Sequence, residues 1–209
     1  MRVAGPVLEL RPPAEADAPA LLELGRDPEV TRWFSWGPYR SLDEPLAYIE
    51  DQEGRRERGE QLDLLVIHRE HGPVGVTGLS ERHPRDRRAV VGSWLGRPYW
   101  GTGLNAEAKA LVFRLAFGHL GLQRLGAYAD VRHARSQRAL EKVGFRREGV
   151  LRGFHRHGDQ AKDVVVFGLL REEWAGSPAA ALPARVEGEA PAAWRLGDVA
   201  PRPPDADPR

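Results

Sequence analysis

The spacing of apolar residues changes period several times along the chain, and each change marks an element. Val7-Leu8-Glu9-Leu10-Arg11 alternates and predicts a short strand, ended by Pro12-Pro13. Ala18, Leu21, Leu22 and Leu24 fall roughly on one face of a helix over Ala14 to Arg26, which Asp27-Pro28 breaks. Ser41-Leu42-Asp43-Glu44-Pro45 has the cap candidate, early acids and proline of a helix start. That helix runs to about Gly59 with a charged outer face. Leu62 to His68 and Val74 to Leu79 read as strands joined through His71-Gly72-Pro73. Pro84 to Arg87 turns again into Ala89 to Gly96, so three strands with short links predict an antiparallel meander.

Leu104, Ala108, Leu111, Val112, Leu115 and Ala116 then form the stripe of an amphipathic helix, Leu104 to Leu120, packed on a sheet. Leu122 to Asp130 reads as a strand, and strand, helix, strand implies a right-handed crossover with a parallel pair. Ala134 to Val143 is a short helix with Gly144 as its C-cap candidate. Phe145 to Leu151 and Asp163 to Leu170 are the last strands, and Trp174 closes the folded part. Residues 1–174 are read as one domain. Residues 175–209 are dominated by proline and alanine, and are expected to form an extended or disordered tail. Its few apolar residues are Leu182, Val186, Trp194, Leu196 and Val199, of which Trp194 is a candidate for docking it.

Composition narrows the classes. The 209 residues carry 31 basic and 30 acidic side chains, a net charge of +1, so no global field points to nucleic acid or an anionic membrane. With no cysteine, a disulfide, a thiolate metal site and a cysteine nucleophile are excluded. No apolar run has the length of a membrane span, and the N-terminal residues lack the run of a signal peptide, so a cytoplasmic protein is expected.

The chemistry concentrates between the third strand and the long helix, at Arg97-Pro98-Tyr99-Trp100-Gly101-Thr102-Gly103-Leu104-Asn105. Two glycines one residue apart allow a tight turn, and a helix starting there aims free N–H groups and its positive dipole end at one point. That suits a diphosphate, although an ordinary strand-to-helix turn has the same letters. Gly101-x-Gly103-x-x-Ala106 also satisfies a dinucleotide fingerprint, with Asp130 placed as a ribose acid. Against it, Arg97 to Trp100 separate strand from glycine and a meander precedes the turn. The phosphate-loop pattern ending in Lys-Ser/Thr is absent.

Val91 to Ala108, Ser136 to Gly149, and Asp163 to Leu170 followed by Glu172-Glu173-Trp174 resemble, in that order, three blocks of the GNAT N-acetyltransferases. The likeness covers about Val7 to Trp174 and is greatest to the RimJ/RimL-type branch, which includes ribosomal-protein N-terminal acetyltransferases. It implies an α/β fold: a mixed, twisted sheet splayed near its middle, with helices on both faces. It also implies acetyl-CoA as acyl donor and a homodimer as a family expectation. The pantetheine arm would pair with Trp94, Leu95 and Gly96, and the pyrophosphate with the N–H groups of Trp100 to Leu104. Asn105 falls within the same loop, and Arg97 and Lys142 are candidates for phosphate charge. Pro98 replaces the family's Gln or Arg, which removes one side-chain contact and leaves the backbone contacts intact.

Other departures touch the chemistry. The family's Asn-x-x-Ala-x-x-x-Tyr falls here on His133, Ser136 and Leu140, so the tyrosine that protonates the leaving thiolate is missing. His133 is a candidate for holding a pantetheine carbonyl or for starting the helix, and Ser136 for hydrogen-bonding the CoA sulfur or capping. A backbone N–H near Trp94 or Leu95 is the oxyanion-donor candidate. Glu81, His155 and Asp163 are candidate bases, Asp163 with a structural alternative. His155 and His157 share a strand face without an evident third ligand, so no metal is expected. Trp33, Phe34, Trp36 and Tyr39 fall where this fold places its acceptor loop, and two of the four are expected in the core. The expected reaction is direct attack of a primary amine, such as a protein or peptide N-terminus, on the thioester. A small-molecule amine acceptor (antibiotic or polyamine), a non-catalytic acyl-CoA sensor and a dinucleotide-binding protein are the alternatives.

Overall fold

The computed structural model describes residues 1–195. Among these, nine strands form one sheet, which runs from edge to edge as β7 (Arg146–His157), β8 (Gln160–Leu170), β6 (Arg124–Asp130), β5 (Arg88–Leu95), β4 (Gly72–His83), β3 (Gln61–His68), β2 (Leu8–Arg11), β1 (Arg2–Ala4) and β9 (Arg185–Glu187). The predicted meander is its middle: β3 (Gln61–His68), β4 (Gly72–His83) and β5 (Arg88–Leu95) pair antiparallel in sequence. Leu62, Leu64, Leu65 and Val66 of β3 are all buried, because helices cover both faces of the sheet there. On one face α1 (Ala18–Gly25) and α3 (Asp43–Arg58) close a small core of Leu21, Leu65 and Val76. On the other, α4 (Leu104–Phe113) buries Ala108, Leu111, Val112 and Phe113 in the main core. Between α1 and α3 lies α2 (Pro28–Thr31), followed by the aromatic loop.

The parallel crossover is where the sequence places it. β5 and β6 (Arg124–Asp130) are parallel, paired only from Arg88 to Val90 against Arg124 to Gly126. Beyond that they part, while β6 stays paired along its length with β8 (Gln160–Leu170). The cleft between β5 and β6 is bordered by α4 and by α5 (Ala134–Lys142), which Gly144 ends at φ 100°. β7 (Arg146–His157) pairs with β8 as a longer hairpin than the apolar runs indicate, because it is mostly exposed and carries no buried stripe.

Three expectations are corrected. The long helix ends as regular α at Phe113 and continues to His119 with wider turns, closed by Leu120 N–H donating to Leu115 O at 2.8 Å. Ser41 does not cap α3; the Glu44 carboxylate instead accepts from the N–H groups of Arg40 and Ser41. The stretch expected to be a tail is, up to Arg195, part of the fold. After α6 (Arg171–Ala175) and α7 (Pro178–Ala181), β9 (Arg185–Glu187) pairs with β1 (Arg2–Ala4), an edge strand that the apolar pattern does not reveal. Arg114 donates to Ala180 O at 2.6 Å, and Trp194 is 0% exposed. Proline and alanine composition misleads here because the segment is ordered by docking one tryptophan and by pairing with an existing edge, not by a core of its own. Leu196 and Val199 lie outside the described residues. Trp194→Ala is expected to cost about 3–5 kcal/mol in chemical denaturation, the range for emptying a buried aromatic site; a loss under about 1 kcal/mol would show that the segment is not part of the core.

Candidate active site

β5 runs through Gly96 into a tight turn, Arg97 to Tyr99, and the chain then swings through Gly101 at φ 78° and Gly103 at φ 90°. Both torsions lie in the left-handed region that favours glycine. The turn uses the N–H groups of Tyr99 and Trp100, which donate to Gly96 O and Arg97 O, and Leu104 N–H reaches Thr102 Oγ1 at 3.5 Å. Those of Gly101, Thr102, Gly103 and Asn105 have no partner among the described residues. They sit at the positive end of α4, a nest for a diphosphate. The nest is narrower than the predicted Trp100 to Leu104, since Trp100 N–H is already engaged. Glu107 fixes this end of α4: its Oε1 accepts from Val7 and Leu8 N–H at 2.9 and 2.8 Å, tying it to β2 (Leu8–Arg11). Of the two cations considered for phosphate charge, Lys142 lines the adjoining cleft, whereas Arg97 is directed to Asp27 at 3.7 Å and does not. Arg135 takes that place, its guanidinium 3.5 Å from the Trp100 ring.

Strand geometry decides which donors of β5 face the opening. Gly96 N–H donates to Val74 O on β4, so by alternation Trp94 also points to β4 while Ser93 and Leu95 point toward the parted strand β6. Leu95 O accepts from Trp100 Nε1 at 2.8 Å, which leaves the Ser93 and Leu95 N–H groups as the donors on the cleft. Of the two oxyanion candidates, the geometry therefore keeps Leu95 and drops Trp94. A cleft of about 310 Å³ beside the nest and one of about 270 Å³ deeper between the strands share Trp33, Phe34, Ser93, Lys109, His133 and Ser136, and so form one passage. Ser136 and His133 are thus brought together at its waist. Trp33 stacks on His133 with ring centres 4.6 Å apart and planes 12° from parallel, roofing it.

None of the four loop aromatics is in the core, against the expectation of two. All are half-buried. Trp36 contacts Phe34, Tyr39 and Trp94, ring centres 5.4, 5.1 and 5.3 Å away, and the wall so formed covers a chamber of about 590 Å³ on the α3 face. Of the candidate bases, His155 lines the deep cleft beside His157 and Lys162. Glu81 sits on a bulge of β4 at φ 48°, off the cleft, and accepts from Tyr128 OH at 3.3 Å. Asp163 accepts from Gly153 N–H at 2.8 Å, its structural alternative. Asp130, the ribose acid of the dinucleotide reading, is occupied by Arg132, whose Nε and Nη2 donate at 3.0 and 2.9 Å.

The sequence profile of the acetyltransferase (GNAT) domain matches residues 8–146. The chain belongs to the GNAT acetyltransferase family. It is similar to two proteins named as uncharacterized N-acetyltransferases. One is p20 of Bacillus licheniformis, 29% identical over 81% of this chain and 96% of p20. The other is YoaA of Bacillus subtilis, 28% identical over 79% of this chain and 97% of YoaA. A solved structure from T. thermophilus, provisionally assigned as an acetyltransferase, is 35% identical with TM-score 0.73, covering 84% of this chain and 92% of that one. The protein is therefore an enzyme, an N-acetyltransferase that uses acetyl-CoA, and the parted strands, glycine nest and long helix are the parts of a GNAT fold.

Within that GNAT frame, the residue the sequence reading passed over is Lys109. It is 5% exposed, donates to Ser93 Oγ at 2.8 Å, and lines both clefts. Burial alone pulls its ammonium down to about 8. The signal was present: Lys109 interrupts an apolar run, Ala108 to Phe113, too long to leave any side of the helix in water. His133 is held neutral, burial first and the Arg135 charge second bringing it down to about 4, with Asp130 opposing.

Two pH effects follow. Because the Lys109 amine binds its proton less tightly folded than unfolded, the folded enzyme carries a penalty of about 3 kcal/mol below pH 8 that fades as pH rises toward the unfolded value of 10.5. Lys109→Met, which also gives up a hydrogen bond worth about 1 kcal/mol, should raise Tm by roughly 3–6 °C at pH 7. Its advantage over wild type should vanish near pH 10.5. A Tm difference independent of pH would refute this. For His133, the unfolded chain takes up a proton between pH 6.5 and about 4 that the folded enzyme refuses, so stability falls with acidification through that window. Replacing it, His133→Asn, should make the acid limb of the Tm profile shallower.

Proposed function

We propose that this enzyme acetylates the α-amine of a protein or peptide N-terminus, with donor and acceptor bound together. The observation that carries the reading is the continuous passage: the glycine nest opens at one end, the Trp33 to Tyr39 loop at the other, and Ser93 lies between. Donor and amine then approach one point from opposite sides, which gives the direct attack its entropic advantage. The RimJ/RimL-type branch is supported by YdaF of Bacillus subtilis, whose name assigns it, provisionally, to ribosomal N-acetylation. It is 31% identical over 49% of this chain and 56% of YdaF.

The residues take the following parts. The free N–H groups at Gly101, Thr102, Gly103 and Asn105 hold the diphosphate, with Arg135 and Lys142 adding charge. Acetyl-CoA, when bound, supplies an activated acyl carbon. The Leu95 and Ser93 N–H groups receive the carbonyl oxygen as its charge grows. The amine nitrogen adds to the acyl carbon and the C–S bond then breaks; one proton leaves the nitrogen and one reaches the sulfur from solvent water. His155 accepts the first, and the Ser136 hydroxyl hydrogen-bonds the sulfur while it leaves. Glu81 reaches this chemistry only through Tyr128. Trp33 and Phe34 line the entry, and Trp36 and Tyr39 flank the acceptor.

Release of free CoA across a panel of peptides and amines tests the activity, and separates an enzyme from a sensor that only binds. A thermal shift with acetyl-CoA and none with NAD is expected. In Gly103→Val a β-branched residue must adopt φ 90°, so acetyl-CoA affinity should fall at least about tenfold. Ser136→Ala should lower kcat by about tenfold or more with acetyl-CoA affinity kept. Turnover at the wild-type rate would remove Ser136 from the chemistry.

A further inference from the structure

The chamber under the aromatic wall has a chemistry of its own. Asp63 of β3, Gly78 of β4 and Gly92 of β5 are directly opposite one another across three strands. The two glycines have no side chain to fill the floor, which therefore runs open from Asp63 to the cleft edge of β5. A Cβ placed on Gly78 would come within 2.2 Å of Asp63 Oδ1, so only glycine leaves that oxygen its position. Tyr48 OH and Gln61 Nε2 both donate to the other oxygen, Oδ2, at 2.7 and 2.8 Å. Oδ1 has no partner among the described residues, and the carboxylate lines the chamber from a site where burial opposes its ionisation.

Arg55 is the one cation on the chamber among the described residues; its charge favours ionised Asp63 and it donates to Gln61 Oε1 at 3.0 Å, but it leaves three carboxylates, Asp63, Asp51 and Glu44, with a net negative charge. Asp51 and Arg55 pair with each other at 2.7 Å. Gln52, 4% exposed, also lines it and has an amide oxygen without a donor. Trp36, Tyr39 and Trp94 complete the walls. Unpaired acceptors beside aromatic faces form a site for a cation rich in N–H groups.

We propose that this chamber selects acceptors that carry a second ammonium group, bound at Asp63, a short chain away from the amine that is acetylated. Two strand spacings, about 10 Å, separate Asp63 from β5. Subtracting a hydrogen bond of about 3 Å leaves a span near 7 Å, that of a five-carbon chain. A lysine at the first position of a peptide and a free diamine share that spacing. The inference rests on the acyl-transfer reading above and refines its acceptor.

The test is titration calorimetry on the enzyme saturated with CoA, comparing 1,5-diaminopentane with 1-aminopentane, together with turnover of peptides beginning with lysine or norleucine. The charged member of at least one pair should be favoured by about tenfold, as expected for one charge-assisted hydrogen bond. Asp63→Asn, with unchanged acetyl-CoA thermal shift, should abolish that preference. Preference in only the peptide or only the diamine arm identifies the source. Equal handling of charged and neutral members by the wild-type enzyme overturns the inference whether or not the variant folds, as does a preference that survives in Asp63→Asn. Failure of acetyl-CoA itself to bind would instead remove the acyl-transfer reading.

Discussion

β5 and β6 hold together for only three residue pairs, and the rest of the site follows from their parting. A sheet interior normally leaves no backbone donor unpaired, because burying one without a partner costs more than a hydrogen bond returns. Here each strand keeps its other neighbour, β4 for β5 and β8 for β6, so neither can shift to close the gap. The opening is thus a fixed edge of main-chain donors between two rigid half-sheets. Such an edge suits an extended arm with amides of its own, and its width is set by the sheet and not by the loops around it.

Around that seam the charge is divided. The α4–α5 side carries the glycine nest, Arg135, Lys142 and the buried Lys109 amine; the α3 chamber carries Asp63, Asp51 and Glu44 against Arg55, and is net negative. A net charge of +1 conceals this, because whole-chain charge averages over groups that never share a cavity. Within a low-dielectric cleft, local arrangement governs and the average does not. The same arrangement sets the stability penalties. Lys109 is a poor choice for packing and His133 a poor one for acid tolerance, yet both lie at the waist of the passage, where function and stability commonly conflict.

What the sequence disclosed, and what it did not, divides along a physical line. The meander and the crossover were legible because β3, β4 and β5 are short apolar runs bounded by turn residues, and α4 repeats its apolar residues at helical spacing. The glycine pair and Ser136 could be singled out because their spacing is local, and they line one cleft. Arg135 could not, since a cation on a polar helix looks the same in sequence whether it faces water or a cleft; Lys109 was marked only by the apolar run it interrupts. Arg97 failed for the complementary reason: it follows β5 at once, but the turn at Pro98 carries its side chain toward Asp27. Asp63 could be found only after register was known, because Gly78 and Gly92 are distant from it in sequence.

The C-terminal segment bears on the cleft although none of its described residues is among those lining the cleft or the chamber. β9 covers the free side of β1, and Trp194 fills the core beside an exposed Arg82–Arg195 contact. Arg114, just beyond α4, is held by Ala180 O and lies over Trp174, while Glu107 at the other end is held by β2. The helix that presents the nest is therefore fastened at one end by the first predicted strand and at the other by chain that composition placed outside the domain. A nest of N–H groups works only if those groups do not relax toward other acceptors, so the rigidity of α4 is a condition of its anion site. On this argument the proline- and alanine-rich segment is a structural part of the catalytic domain: it steadies the helix whose first turn must stay unsatisfied by the protein.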